Sequence, residues 1–232
     1  MSADIAKINA AAAALDFVED GMLLGLGTGS TAAHFVRLLG ERVKKGLNVR
    51  GVPTSEETDR LAREVGVPLV PVERVGALDL AVDGADEVDG QFRLIKGGGA
   101  ALLREKIIAG AAKHFVVIAD ESKMVETLGA FPLPVEVTPF GFTLTAARIY
   151  DALKLTGCKG AEASLRESAP NTPVVTDGGN YIIDCRCLAI PHPEALADAL
   201  KRITGVVDHG LFLGMARTVI IGKAKGAEVL ER

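Results

Sequence analysis

Met22-Leu23-Leu24-Gly25-Leu26-Gly27-Thr28-Gly29-Ser30-Thr31 decides the fold class. Residues 22–26 are an apolar run of strand length, and residues 27–31 are a turn. Beyond the turn Phe35, Val36, Leu39 and Val43 recur at helical spacing. Upstream, Ile5, Ile8, Ala12, Leu15 and Val18 form a second helical stripe, which Gly21 is expected to end. Downstream, residues 49–53 read as a strand, and Thr54 with Glu57 predicts a capping box opening a helix that runs to Glu64. Further strands are expected at 69–72, 78–83, 93–96 and 115–120, with a helix from about Ala100 between the last two. Apolar runs alternating with amphipathic helices are the pattern of βα units on a parallel sheet, an α/β fold.

After Leu128 the pattern changes. Phe131-Pro132-Leu133-Pro134 marks a crossing into another unit. A strand (135–137), a helix (143–155), a strand pair (174–176 and 181–185), a helix (193–203) and a strand (205–208) follow, and Asp177-Gly178-Gly179-Asn180 turns the strand pair. A β-α-β-β-α-β order predicts a smaller, ferredoxin-like α+β domain. A last strand is expected at 218–221. The expected division is 1–128 with 204–232 as the larger α/β domain, and 129–203 as the smaller.

Composition narrows the function classes. The 232 residues are 48% hydrophobic and 24% charged, ample for a sizeable core. A net charge of −4 argues against a broad nucleic-acid surface. No stretch reads as a membrane span, and the alanine-rich start is interrupted by Asp4, Lys7, Asp16 and Glu19, so it is no signal-peptide core. Cys158, Cys185 and Cys187 give an odd count that fits a reduced, cytoplasmic protein. Cys185 and Cys187 with His192 lack a zinc-site spacing, so packing is expected there and no metal.

Three segments sit at strand ends, where ligands bind in open α/β sheets. In the first, Thr28, Gly29, Ser30 and Thr31 offer backbone N–H groups and hydroxyls at the amino end of a helix, which favours a phosphate. The plain alternative is a glycine turn with a helix cap. The segment lacks a Walker lysine and G-x-G-x-x-G spacing, so neither a nucleoside triphosphate nor a dinucleotide is supported. The second is Asp83-Gly84-Ala85-Asp86-Glu87-Val88-Asp89. Asp83 ends an apolar strand and is a candidate with Asp86, whereas Glu87 and Asp89 are expected to be solvated. In the third, Lys96-Gly97-Gly98-Gly99, the glycines let backbone approach a ligand and Lys96 adds a full charge.

The helix behind the third segment holds Glu105. Ala101, Leu102, Ile108, Ala109 and Ala112 fall within about 60° of it at 100° per residue. Leu103 and Ile107 lie opposite, so the helix is expected to be buried on two faces. A carboxylate in an apolar stripe needs a partner, and burial tunes it toward general-base work. A structural ion pair with Lys96 or Lys123 is the alternative. Lys123 lies just past a strand end, and Lys7 by default is solvated.

Gly25–Ala32 (GLGTGSTA), residues 83–89 (DGADEVD) and 96–106 (KGGGAALLREK) together resemble the A-type ribose-5-phosphate isomerase family. The resemblance continues through 119–125, 176–180 and 206–216 and so covers almost the whole chain; Gly178 stands where similar proteins often carry Asn. It implies interconversion of ribose 5-phosphate and ribulose 5-phosphate without metal or organic cofactor. It also implies a Rossmann-like α/β domain with a smaller α+β domain, in homodimers or homotetramers. By the same resemblance Glu105 is the proton acceptor, and residues 28–31, 83–86, 96–99 and Lys123 contact substrate. Lys7 matches a position that helps hold the phosphate. Within that scheme Lys96 and the glycine N–H groups meet the charge on the carbonyl oxygen, Asp83 is the first choice to open the sugar ring, and Asp86 orients hydroxyls or Lys96. An amino-sugar-phosphate deaminase, a phosphogluconolactonase and a sugar-phosphate-sensing regulator are the competing readings; the last would need a DNA-binding module.

Overall fold

The computed structural model describes residues 2–232. In chain order the elements are α1 (Ser2–Ala14), β1 (Leu23–Leu26), α2 (Ser30–Lys44), β2 (Arg50–Pro53), α3 (Glu56–Val65) and β3 (Leu78–Gly84). Then come β4 (Glu87–Asp89), β5 (Leu94–Ile95), α4 (Leu102–Ala111), β6 (Ala112–Asp120), β7 (Met124–Val125) and β8 (Leu133–Val137). Next are α5 (Phe142–Leu155), β9 (Glu162–Leu165), β10 (Glu167–Ala169), β11 (Thr172–Pro173), β12 (Tyr181–Arg186) and α6 (Pro193–Lys201). The chain ends with β13 (Val206–His209), β14 (Leu211–Phe212), β15 (Thr218–Gly222) and β16 (Ala227–Glu231). The described residues divide into two compact units: 2–85, 104–123 and 215–232 in the first, and 86–103 and 124–214 in the second.

The first unit is built on a six-stranded sheet in the order β16-β15-β6-β3-β1-β2. All neighbours are parallel except the edge strand β16. Leu24, Leu26, Leu80, Val82, Val116, Ile118 and Ile220 from the sheet pack with Phe35, Val36 and Leu39 of α2 in one core. The strands are buried apolar runs, as parallel strands covered by helices must be. Here α1 stops at Ala14, short of the expected Gly21, and a 3-10 turn follows over Leu15–Phe17. The stretch 69–72 makes only a bridge from Leu69 to Gly51. Pro68 and Pro71 supply no N–H for a longer ladder there. The cap of α3 is Ser55, whose side chain accepts the Thr58 N–H, one residue later than the capping box predicts.

The second unit holds an antiparallel sheet in the order β13-β8-β12-β9. Counting β8, β9, β12 and β13 as first to fourth, this is the 4-1-3-2 order of a β-α-β-β-α-β unit, with α5 and α6 as its helices. The second strand of that unit is β9, not the expected 174–176, where only Val175 bridges Tyr181. Four short strands, β14-β5-β4-β7, form another sheet in the same unit. Residues 86–103, 124–128 and 204–214 therefore belong to the second unit and not to the first, as the expected boundaries had it. Strands of two or three residues are too short to show a period in the sequence.

Candidate active site

In the first unit, the ends of β1 and β3 carry the glycine turn and Asp83. The Gly27 N–H bonds to the Val82 carbonyl at 2.9 Å, which holds the turn against β3. Asp83 is 3% exposed, and its Oδ1 accepts the N–H groups of Thr28 at 3.0 Å and Gly84 at 2.7 Å. Gly29 precedes α2 with φ +99° and no side-chain cap, so the helix start is made of backbone donors. Ser30 is exposed, and its hydroxyl accepts from Lys7 Nζ of α1 at 2.9 Å. Lys7 is thereby placed at the phosphate-suited turn. Thr31 is buried.

Thr28 faces inward. Its hydroxyl lies 2.7 Å from that of Thr54, 2.8 Å from Ser55 and 3.2 Å from Thr58. Thr58 in turn donates to the Gly27 carbonyl at 2.9 Å, and Thr54 donates to the Leu26 carbonyl at 3.0 Å. This buried hydroxyl cluster fixes the turn from beneath, and sequence reading missed it. Three hydroxyl residues at 54, 55 and 58 near a helix start were visible only as cap chemistry.

Glu105, one turn into α4, is 4% exposed, and Ala101, Leu102, Ile108 and Ala109 are buried on the same face. Glu105 and Asp83 line one small pocket with Gly27, Thr54 and Phe115. The second apolar face expected for α4 is not buried: Ile107 is 55% exposed. Lys123 is partly buried at the end of the 3-10 turn that follows β6.

In the second unit, Asp86 and residues 96–99 form one arrangement. Asp86 Oδ2 accepts the Gly98 N–H at 2.8 Å, and the Asp86 N–H donates to the Ile95 carbonyl at 2.8 Å. Gly97 has φ +100° and Ala100 φ 58°, so the loop turns through left-handed backbone. A Cβ on Gly98 would lie 2.7 Å from Asp86 Oδ1, so a side chain there would have to displace that carboxylate. Lys96 is 2% exposed, its N–H bonds to the Gly210 carbonyl at 2.9 Å, and its Nζ lies 5.5 Å from the centre of the Phe212 ring.

Glu87 and Asp89 are not solvated. Glu87 is 3% exposed and accepts the N–H groups of Gly129, at 2.7 Å, and Phe131. Asp89 is 1% exposed and pairs with Arg93 Nε at 2.6 Å. Of four acids in seven residues, two brace loops in this unit. Among the described residues no cluster of three or more His, Cys, Asp or Glu side chains is arranged to hold a metal.

A parallel-sheet α/β unit with a glycine turn at a helix start, beside the buried carboxylates of Asp83 at a strand end and Glu105 on α4, fits the class of small phosphorylated-ligand enzymes. A family profile described as Ribose 5-phosphate isomerase A (phosphoriboisomerase A) matches residues 50–226. Ribose-5-phosphate isomerase A of Maricaulis maris is 59% identical over 226 residues, covering 97% of each chain. A solved D-ribose-5-phosphate isomerase in complex with phospho-erythronic acid superposes with a TM-score of 0.92 at 43% identity over 100% of both chains. Ribose 5-phosphate isomerase A from Methanocaldococcus jannaschii gives 0.90 at 41% identity over 98% of both. The chain belongs to the ribose-5-phosphate isomerase A family.

Proposed function

We propose that this protein interconverts D-ribose 5-phosphate and D-ribulose 5-phosphate, with Glu105 moving the proton. The observation that carries the reading is Glu105 itself, a buried carboxylate on the apolar face of α4 that shares a pocket with Asp83 in a chain of this family. Glu105 takes the proton from C2. The electron pair of that C–H bond forms the C1–C2 double bond, and the C1 carbonyl oxygen takes the charge, giving a cis-enediolate. A proton passes from O2 to O1, and Glu105 returns its proton to C1. Lys96 and the glycine N–H groups stabilise the oxyanion, where removal of one donor typically costs about 2.7–4 kcal/mol.

Asp83 opens the sugar ring, and Asp86 orients hydroxyls. The backbone donors of residues 28–31 with Lys7 hold the phosphate, which turns binding energy into orientation at C1 and C2. These steps call on side chains and backbone donors, with no cofactor. Lys123 contributes charge to the same substrate. Assembly as a homodimer or homotetramer and a cytoplasmic location are parts of this proposal supported by family membership; no described helix is long and apolar enough to cross a membrane. Light scattering on the purified protein tests the assembly.

The chemical test is Glu105→Gln. The expected result is a kcat lowered roughly 10²–10⁴-fold, the usual contribution of a general base, with KM close to the parent's. Activity above about a tenth of the parent's would remove Glu105 from the mechanism. Assay of ribose 5-phosphate against amino-sugar phosphates and phosphogluconolactone separates isomerase from its nearest alternatives.

A further inference from the structure

The 157–169 stretch has no substrate role in the scheme above, yet it sends one side chain to the glycine loop. Arg166 lies between β9 and β10 and is largely buried, with its side chain 15% exposed. Its Nε donates to Asp184 Oδ2 at 2.8 Å and its Nη2 to Asp184 Oδ1 at 2.5 Å, a two-point pairing with a residue of β12. Its Nη1 donates to the Gly97 carbonyl at 2.9 Å and to the Gly98 carbonyl at 3.0 Å. Every one of these groups lies in the second unit.

Peptide planarity turns that contact into a directional constraint. The Gly97 carbonyl and the Gly98 N–H belong to one planar trans unit and point in opposite directions. The Gly98 carbonyl and the Gly99 N–H are related in the same way. A guanidinium that gathers both carbonyls on one side therefore aims both N–H groups to the other. For Gly98 the outcome is visible, since its N–H reaches Asp86 Oδ2. Three successive glycines, the first of them at φ +100°, have many alternative conformations, so an external tie is needed to select this one.

We infer that Arg166, held by Asp184, is a positioning residue for catalysis: it clamps the Gly97 and Gly98 carbonyls so that the Gly98 N–H holds the Asp86 carboxylate and the Gly99 N–H is aimed for oxyanion stabilisation. The inference rests on the mechanism proposed above. Lysine cannot replace arginine here, because the fork must reach two carboxylate oxygens and two carbonyls at once.

The experiment compares Arg166→Lys, Arg166→Ala and Asp184→Asn with the parent and with Glu105→Gln. Mis-aimed oxyanion donors lower kcat, and the expected fall for both Arg166 variants is about 10- to 100-fold, below the 10²–10³ of outright donor removal. KM for ribose 5-phosphate should stay within about threefold, since phosphate binding uses other residues. Affinity for phospho-erythronic acid, a carboxylate resembling the charged intermediate, should fall in step with kcat/KM. Added guanidinium ion at low concentration should recover part of the Arg166→Ala activity, whereas for a variant that is merely unfolded it would lower activity further. Asp184→Asn, which keeps the arginine but loosens it, should fall between parent and Arg166→Ala. A kcat within about threefold of the parent in both Arg166 variants, or equal losses in kcat and inhibitor affinity that simply follow melting temperature, overturns the role. If those variants behave as parent while Glu105→Gln is inactive, the positioning role alone falls. If Glu105→Gln is active, the mechanism itself falls.

Discussion

At Gly27 the turn and the carboxylate are in such close contact that the absence of a side chain is a structural requirement. A Cβ there would overlap the carboxylate and the Cα of Asp83. Asp83 cannot give way cheaply, because its Oδ1 holds the Thr28 and Gly84 N–H groups and its backbone is inside β3. Gly27→Ala is therefore expected to push the 28–31 turn away from Asp83, and misplacement of about 1 Å costs on the order of 10²-fold in rate. Gly29 offers the contrast. A Cβ there meets nothing within 4 Å, and its cost is the φ of +99°, on the order of 1–3 kcal/mol of stability. Steady-state kinetics beside urea denaturation should show Gly27→Ala losing more kcat/KM than Gly29→Ala, whose backbone strain also appears as lost stability. Equal kinetic behaviour of the two would mean that contact with Asp83 does not set the turn. Glu105 was legible at this same scale, because a carboxylate within an apolar helical stripe is an anomaly in one dimension. Arg166 was not: its partners Asp184 and Gly97 lie 18 and 69 residues away, and nothing around it in sequence announces them.

Between elements, Asp79 of β3 ties the start of β1 and the start of β6. Its Oδ2 accepts the Leu23 N–H at 3.0 Å, and its Oδ1 pairs with Lys113 Nζ at 2.8 Å. The Leu23 hydrogen bond first, and Lys113 after it, hold the Asp79 carboxyl below the ordinary aspartate value. A depressed folded value means that the tie stabilises above the unfolded aspartate pKa of about 3.9 and is lost as pH falls through the lower folded value. The side chain is 36% exposed, so solvent screens the pair and the effect is at most about 1 kcal/mol. Urea denaturation of Asp79→Asn should show a stability deficit near neutral pH that shrinks in acid below the folded pKa. A deficit constant with pH would mean that side-chain charge has no part in it. The elements joined here were readable in the sequence because β1, β3 and β6 are apolar runs with helices between them. By contrast β16 is exposed along most of its length and so lacks a burial pattern, and β4, β5, β7 and β14 are two or three residues long. Their pairing, set by register and not by propensity, is what moved 86–103 and 204–214 into the second unit.

At the scale of the whole molecule, the cysteines provide a reporter of how the second unit opens. Cys158, Cys185 and Cys187 are all free thiols, buried in that unit's core with Leu133, Val135, Ile149 and Leu196. Burial pushes the Cys185 thiol well above its ordinary value, and hydrogen bonding with Cys158 followed by burial pushes Cys187 up as well. Reaction with a bulky thiol reagent needs both access and thiolate, so the native protein should label only when the unit opens. Asp86 and residues 96–99 belong to the same unit, and the proposed substrate contacts them. A ligand bound only to the closed form stabilises it by RT ln(1 + [L]/Kd), about 2.7 kcal/mol at a hundred times Kd. Phospho-erythronic acid at that level should therefore slow labelling roughly 100-fold when opening is the route to the thiols and reclosing is faster than labelling. Denaturant should release all three thiols at once. If labelling is indifferent to the ligand, the reagent enters by local fraying around Gly157 and Gly160, which have φ of +92° and +76° beside Cys158, and the unit does not need to open. Labelling of Cys158 alone, read by mass spectrometry of the modified peptides, would identify that route, while simultaneous labelling of Cys158, Cys185 and Cys187 would identify cooperative opening.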